Sequence, residues 1–116
     1  MRSKGNAYEN KAYEFLLSKG LKLVERNYYC RSGEIDLIMR DKGTIVFVEV
    51  RFRSSAVYGS ATESITKRKQ IKLINTAHMF LQSRQLYTLK CRFDTISFDQ
   101  TKDEISVNWI TSAFDE

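Results

Sequence analysis

Between Gly33 and Arg53 the chain makes one run of strand-forming residues, turns, and makes another. Gly33-Glu34-Ile35-Asp36-Leu37-Ile38 leads to a turn at Asp41-Lys42-Gly43, and Val46-Phe47-Val48-Glu49-Val50-Arg51-Phe52-Arg53 leads away from it. Two apolar runs around a Gly-containing turn specify a β-hairpin. Each run carries an acid where a core strand prefers an apolar residue. Side chains alternate along a strand. Glu49 and Arg51 therefore share a face with Ile45 and Phe47, while Val46, Val48 and Val50 take the other. On the first strand Asp36 shares a face with Glu34 and Ile38. The turn decides whether the two acids meet. A two-residue loop at Lys42-Gly43, or a four-residue loop, sets Asp36 opposite Glu49, where Cβ atoms lie ~4.5–5.5 Å apart. A three-residue loop shifts the pairing by one and separates them. Facing carboxylates repel unless compensated, and a divalent cation compensates them well. The competing reading is a strand edge dotted with solvated acids. The strongly apolar surroundings of both acids favour the first.

Asp36, then twelve residues, then Glu49-Val50-Arg51 resembles the PD-(D/E)XK nuclease signature, a degenerate pattern. A longer string is more specific: Gly33 to Ile38, Phe47 to Arg53, Tyr58-Gly59, Lys69 and Arg92-Phe93-Asp94. In that order it resembles the small bacterial YraN family, itself similar to archaeal Holliday-junction resolvases. The resemblance runs from Glu9 to about Phe98. It implies an α/β fold with a restriction-endonuclease-like core. It also implies metal-dependent cleavage of DNA phosphodiester bonds, in branched or repair and recombination intermediates. Mg²⁺ or Mn²⁺ would be held by Asp36 and Glu49, with the Val50 carbonyl as an additional oxygen ligand. Asp36, Glu49, Arg51 and Glu9 form the implied catalytic set, and a homodimer follows by analogy. The sequence departs from the general nuclease pattern twice. Ile35 stands in place of its proline and Arg51 in place of its lysine. An arginine, with a pKa above ~12, cannot accept a proton, so any role of Arg51 is electrostatic.

At 116 residues the chain is expected to form one domain. Its net charge of +5 suits a polyanionic partner. Met1 to Lys19 interleaves charged and apolar residues, unlike a signal peptide. No stretch is long and apolar enough to span a membrane, so a cytoplasmic protein is expected. Cys30 and Cys91 have no C-x-x-C spacing and the chain has one histidine, which argues against structural zinc. Free thiols are the default, and a disulfide between them stays open.

The remaining elements complete an α-β-β-β-α-β-β order, expected to build a mixed sheet with flanking helices. A helix spans about Ala7 to Lys19, with Asn6 and Glu9 resembling a capping box and Gly20 as its stop. Glu9 thus has two readings, a cap or an inward acid beside the metal site. A strand follows at about Leu21 to Tyr28. Phe52 to Glu63 reads as a loop containing Tyr58-Gly59. A second helix runs from about Lys67 to Ser83 with Thr66 as N-cap. Ile71, Ile74, His78 and Leu81 mark its apolar stripe, making His78 a core histidine. Lys67, Arg68, Lys69 and Lys72 crowd its first turns, where cations oppose the helix dipole. Bound phosphate would offset that cost. With Gln70 and Arg53 they form the expected nucleic-acid-binding set, against the alternative of a solvated basic face. Strands at about Leu89 to Phe98 and Glu104 to Ile110 close the fold, with Tyr87 to Asp94 beside Val46 to Arg51. Asp94 is read as structural, pairing with Arg92. Two rivals to the nuclease remain: a nucleic-acid-binding module with little or no catalysis, and an interaction domain in which Arg51, Glu49 and Asp36 form a salt network.

Overall fold

The computed structural model describes residues 3–54 and 65–116, and of residues 3–6 and Ser54 the backbone only. The order is α1 (Ser3–Ser18), β1 (Lys22–Cys30), β2 (Gly33–Asp41), β3 (Thr44–Ser54), α2 (Lys67–Ser83), β4 (Lys90–Thr101) and β5 (Glu104–Phe114). The strands form one five-stranded sheet in sequence order. Three of its pairings are antiparallel and β3 with β4 is parallel. Parallel neighbours need a crossover, and α2 lies in that connection. The element order and the mixed sheet are those expected, and β4 lies beside β3.

Both faces of the sheet are covered, so β3 is apolar on both sides. On one face Leu73, Ala77 and Phe80 of α2 pack on Ile38, Ile45, Phe47 and Phe93. On the other, Ala12 and Leu16 of α1 pack on Leu37, Met39, Val46, Val48, Ile96 and Phe98. The hairpin pairs Asp41 with Thr44 and Leu37 with Val48. Its loop is therefore Lys42-Gly43, with Lys42 in the left-handed region at φ 58°. This is the register that carries Asp36 and Glu49 toward each other on the α2 face.

Two expectations are corrected. Helix α1 starts at Ser3, so Asn6 lies inside it and cannot be its N-cap. Glu9 is buried, in step with Ala12 and Leu16 on the inward stripe. Helix α2 buries Leu73, Thr76, Ala77, Phe80 and Leu81, while His78 is exposed, with Nε2 2.6 Å from Glu116 Oε1. The helix is turned because Thr76 can be buried, its hydroxyl donating to the Lys72 carbonyl at 2.8 Å. Phe80 then sets its ring edge-on against Tyr28 and Phe47. An apolar count gives Thr76 no weight and so favours the wrong face.

Thr66 caps α2 as expected, its Oγ1 accepting from the Lys69 amide at 3.2 Å. Cys30 and Cys91 are free, half-buried thiols. Burial, then the negative charge of Glu116, raises the pKa of Cys91. Asp94 is fully buried and accepts from Arg92 Nε, Trp109 Nε1 and the Ser112 amide, each at 3.0 Å. Tyr58-Gly59 lies outside the described residues. Among the described residues no helix is long and apolar enough to cross a membrane.

Candidate functional site

Pairing between β2 and β3 ends at Leu37 and Val48. One step further, Asp36 Oδ2 accepts a hydrogen bond from the Val50 amide at 3.1 Å. A side-chain carboxylate thus takes over a backbone donor where the ladder stops. On the other side of β2, Arg26 pairs with Leu37 and Tyr28 with Ile35, which leaves Asn27, at φ 53°, across from Asp36. Both neighbouring strands are therefore irregular beside Asp36, and its carboxylate is fixed at the point of separation.

That separation lets residues from both faces of the sheet line one cleft of about 330 Å³: Tyr8 and Glu9 of α1, Asp36, Glu49, Val50 and Phe52 of the hairpin, and Lys69 of α2. Tyr8 stacks on Phe52 with ring centroids 4.5 Å apart, seating the start of α1 over the end of β3. Glu9 follows it, 5% exposed, and its Oε1 has no hydrogen-bond partner among the described residues. Lys69 Nζ lies 2.9 Å from Glu49 Oε2, at a side chain 12% exposed. Burial drives the Asp36 carboxyl up from 3.8 to about 7, and the charge of Glu49 adds to that. The Val50 amide opposes the shift, and the charges of Glu9 and Glu34 reinforce it. The cleft is thus an acidic, partly desolvated place in a chain of net charge +5.

A cation would relieve this arrangement, and the donor set defines its kind. The donors are carboxylate oxygens, which suit hard ions. Among the described residues no three His, Cys, Asp or Glu side chains are gathered tightly enough to cage a metal. Asp36 and Glu49 are the carboxylates at the cleft that could hold a hard ion such as Mg²⁺, which is bound by one or two carboxylates and keeps waters or substrate oxygens in the remaining positions.

The structure brings Asp36, Glu49, Val50, Glu9 and Lys69 together. Arg51, half-buried, lies two residues along β3 from Glu49, in register with Ser97. Lys67, Arg68 and Lys72 are exposed on the first turns of α2. Two members of the expected basic set are placed differently. Arg53 is 10% exposed and its Nε donates to Asp99 at 3.0 Å, a buried pair rather than part of a solvent face. Gln70 donates to the Ile65 carbonyl at 2.8 Å, tying the incoming chain to α2. Sequence reasoning placed Lys69 on a phosphate face and missed its bond to Glu49. Tyr8, which precedes Glu9 and also lines the cleft, was not among the expected site residues.

Fold and cleft together define an α/β protein whose mixed sheet presents a carboxylate-lined cleft where two strands part. Comparison with known proteins narrows this class. The profile of "Uncharacterised protein family UPF0102" matches residues 8–98. The "UPF0102 protein YraN" of Salmonella arizonae is 48% identical over 114 residues, 97% of this chain and 84% of that protein. A UPF0102 protein of Stutzerimonas stutzeri is 44% identical over 115 residues, 98% of this chain and 96% of that one. A third, from Pseudomonas savastanoi pv. phaseolicola, is 46% identical over 113 residues, 96% and 92% of the two chains. The protein belongs to the UPF0102 family, the YraN family resembled by its motifs.

Proposed function

We propose that the protein is a metal-dependent endonuclease acting on DNA. The observation that carries this reading is the convergence of Glu9, Asp36 and Glu49 from three elements on one cleft, in a basic chain. Acids crowded at a desolvated site destabilise a fold, and a bound cation offsets that cost. Asp36 and Glu49 would hold Mg²⁺ or Mn²⁺, with the Val50 carbonyl as a further oxygen. The ion would supply Lewis-acid polarisation of the scissile phosphate and a water of lowered pKa. The Val50 amide keeps Asp36 aimed into the cleft. Lys69 places its charge beside Glu49, and Arg51 adds a second cation along the same strand. Both would stabilise the negative charge that develops on the phosphate. Glu9 Oε1 offers an acceptor for a water or hydroxyl proton. Lys67, Arg68 and Lys72 hold the phosphate backbone outside the cleft, with a homodimer proposed by analogy.

The test is cleavage of branched and linear DNA with Mg²⁺, Mn²⁺ or EDTA, by the wild type and by Glu49→Gln. Metal-dependent products that disappear in the variant are expected. If the purified protein cuts no substrate with either metal yet binds DNA, the reading becomes a binding module.

The basic helix makes its own prediction. Replacing Lys67, Arg68 and Lys72 with Gln should weaken duplex binding and flatten its salt dependence. The log–log slope should fall by about 0.9 for every phosphate that the variant leaves unneutralised. An unchanged slope in anisotropy titrations would reduce this face to a solvated one.

A further inference from the structure

A second cavity, of about 400 Å³, adjoins the candidate active site and shares Lys69 with it. It lies between the β1–β2 turn and α2. The size falls within the ~300–1,000 Å³ of ligand clefts. Its lining is divided by charge. Arg68, Lys69 and Lys72 bring cations from α2, whereas Tyr29 and Glu34, paired across β1 and β2, bring an aromatic ring and a carboxylate. Tyr29 is 77% exposed, the most exposed large apolar side chain among the described residues. Gly33 forms part of the wall. A Cβ there would come within 3.1 Å of Thr76 Oγ1, and its φ of 148° disfavours any other residue. Glycine thus lets the turn approach α2 closely enough to enclose the space.

We infer that this cavity is a subsite for one unpaired nucleotide next to the cleavage position, its base against Tyr29 and its phosphate toward Arg68 and Lys72. The inference rests on the nuclease reading and adds a substrate class, DNA with an unpaired nucleotide at a junction, flap or overhang. A phosphate alone would account for the cations but not for the exposed ring, and Glu34 repels phosphate from the tyrosine end. A nucleotide matches both ends. Its phosphate is anionic, and its base has a π-face for the ring. Aromatic stacking of this kind tolerates any base, and a base held inside a duplex cannot reach the ring.

The experiment uses 2-aminopurine, placed at an unpaired position of an overhang duplex or within a blunt duplex, with binding measured in EDTA. Wild type should quench the unpaired probe. Tyr29→Ala should lose the quenching and about tenfold in affinity for the overhang, a typical loss for one stacked base, with blunt-duplex affinity unchanged. Tyr29→Phe should keep both. Lys72→Gln should weaken overhang binding while leaving the quenching of bound probe. If Tyr29→Ala binds and quenches like wild type, or weakens both duplexes equally, the subsite is refuted while the nuclease reading stands. If the wild type binds neither duplex, the subsite is refuted, and cleavage with Mg²⁺ or Mn²⁺ decides the nuclease reading separately.

Discussion

Asp36→Asn should abolish metal-dependent cleavage while making the protein more stable at neutral pH in EDTA. The substitution keeps the size of the side chain and an oxygen able to accept from the Val50 amide. It removes one of the two negative charges proposed to hold the metal. Metal polarisation supplies several kcal/mol to such a transition state, so the rate should fall by orders of magnitude. The stability effect follows from the raised carboxyl. Asp36 titrates near 7 in the folded protein against an ordinary 3.8. Between those values the folded chain holds a proton that the unfolded chain has released, so stability falls as pH rises. The loss is complete above about pH 7 and absent below about pH 4. Asparagine has no proton to lose. The variant should match the wild type near pH 4 and exceed it at pH 8, by at most about 4 kcal/mol, the limit before solvent screening. Thermal melts in EDTA at both pH values, beside a nicking assay on the same preparations, read the two effects. Equal cleavage by both proteins would mean a contaminating nuclease. A variant less stable at pH 8 would mean that Asp36 is structural.

Asp94→Ala should be the most destabilising single change at an acid of this protein. Asp94 is 1% exposed. Arg92 binds it through Nε and Nη2, and Trp109 and the Ser112 amide bind it from β5. Arg92 also reaches Asp41 at 3.0 Å, linking the hairpin turn to β4. Removing Asp94 leaves a largely enclosed guanidinium and two further donors short of an acceptor. Losing one partner of a buried pair costs ~3–5 kcal/mol, out of the ~5–15 kcal/mol that hold a typical domain. At this size the melting temperature should drop by roughly 10–20 °C. Asp94→Asn, which still accepts from Trp109 or Ser112, should cost less. A melt of Asp94→Ala within a degree or two of wild type would show that the network contributes nothing to stability.

The hairpin and the element order were legible because they depend on local periodicity, and the meeting of Asp36 with Glu49 was legible as one of two registers that the turn would decide. An alternation of two fixes which residues share a face, and a two-residue loop fixes the register across the turn. The Thr66 cap was legible for the same reason, since a cap joins residues three apart. Packing between elements was not. The inward face of α2 depends on a buried threonine satisfied within its own helix, which an apolar count discards. Arg53 looks like an exposed cation until β4 brings Asp99 beside it, 46 residues away. Lys69 meets Glu49, and Glu9 enters the cleft, because two helices on opposite faces converge where β2 and β3 separate. Sequence spacing therefore singled out the two acids, and the two-residue turn of the folded chain set them toward each other. Only tertiary packing decided what surrounds them, because a side chain's charge and burial depend on neighbours that no local repeat encodes.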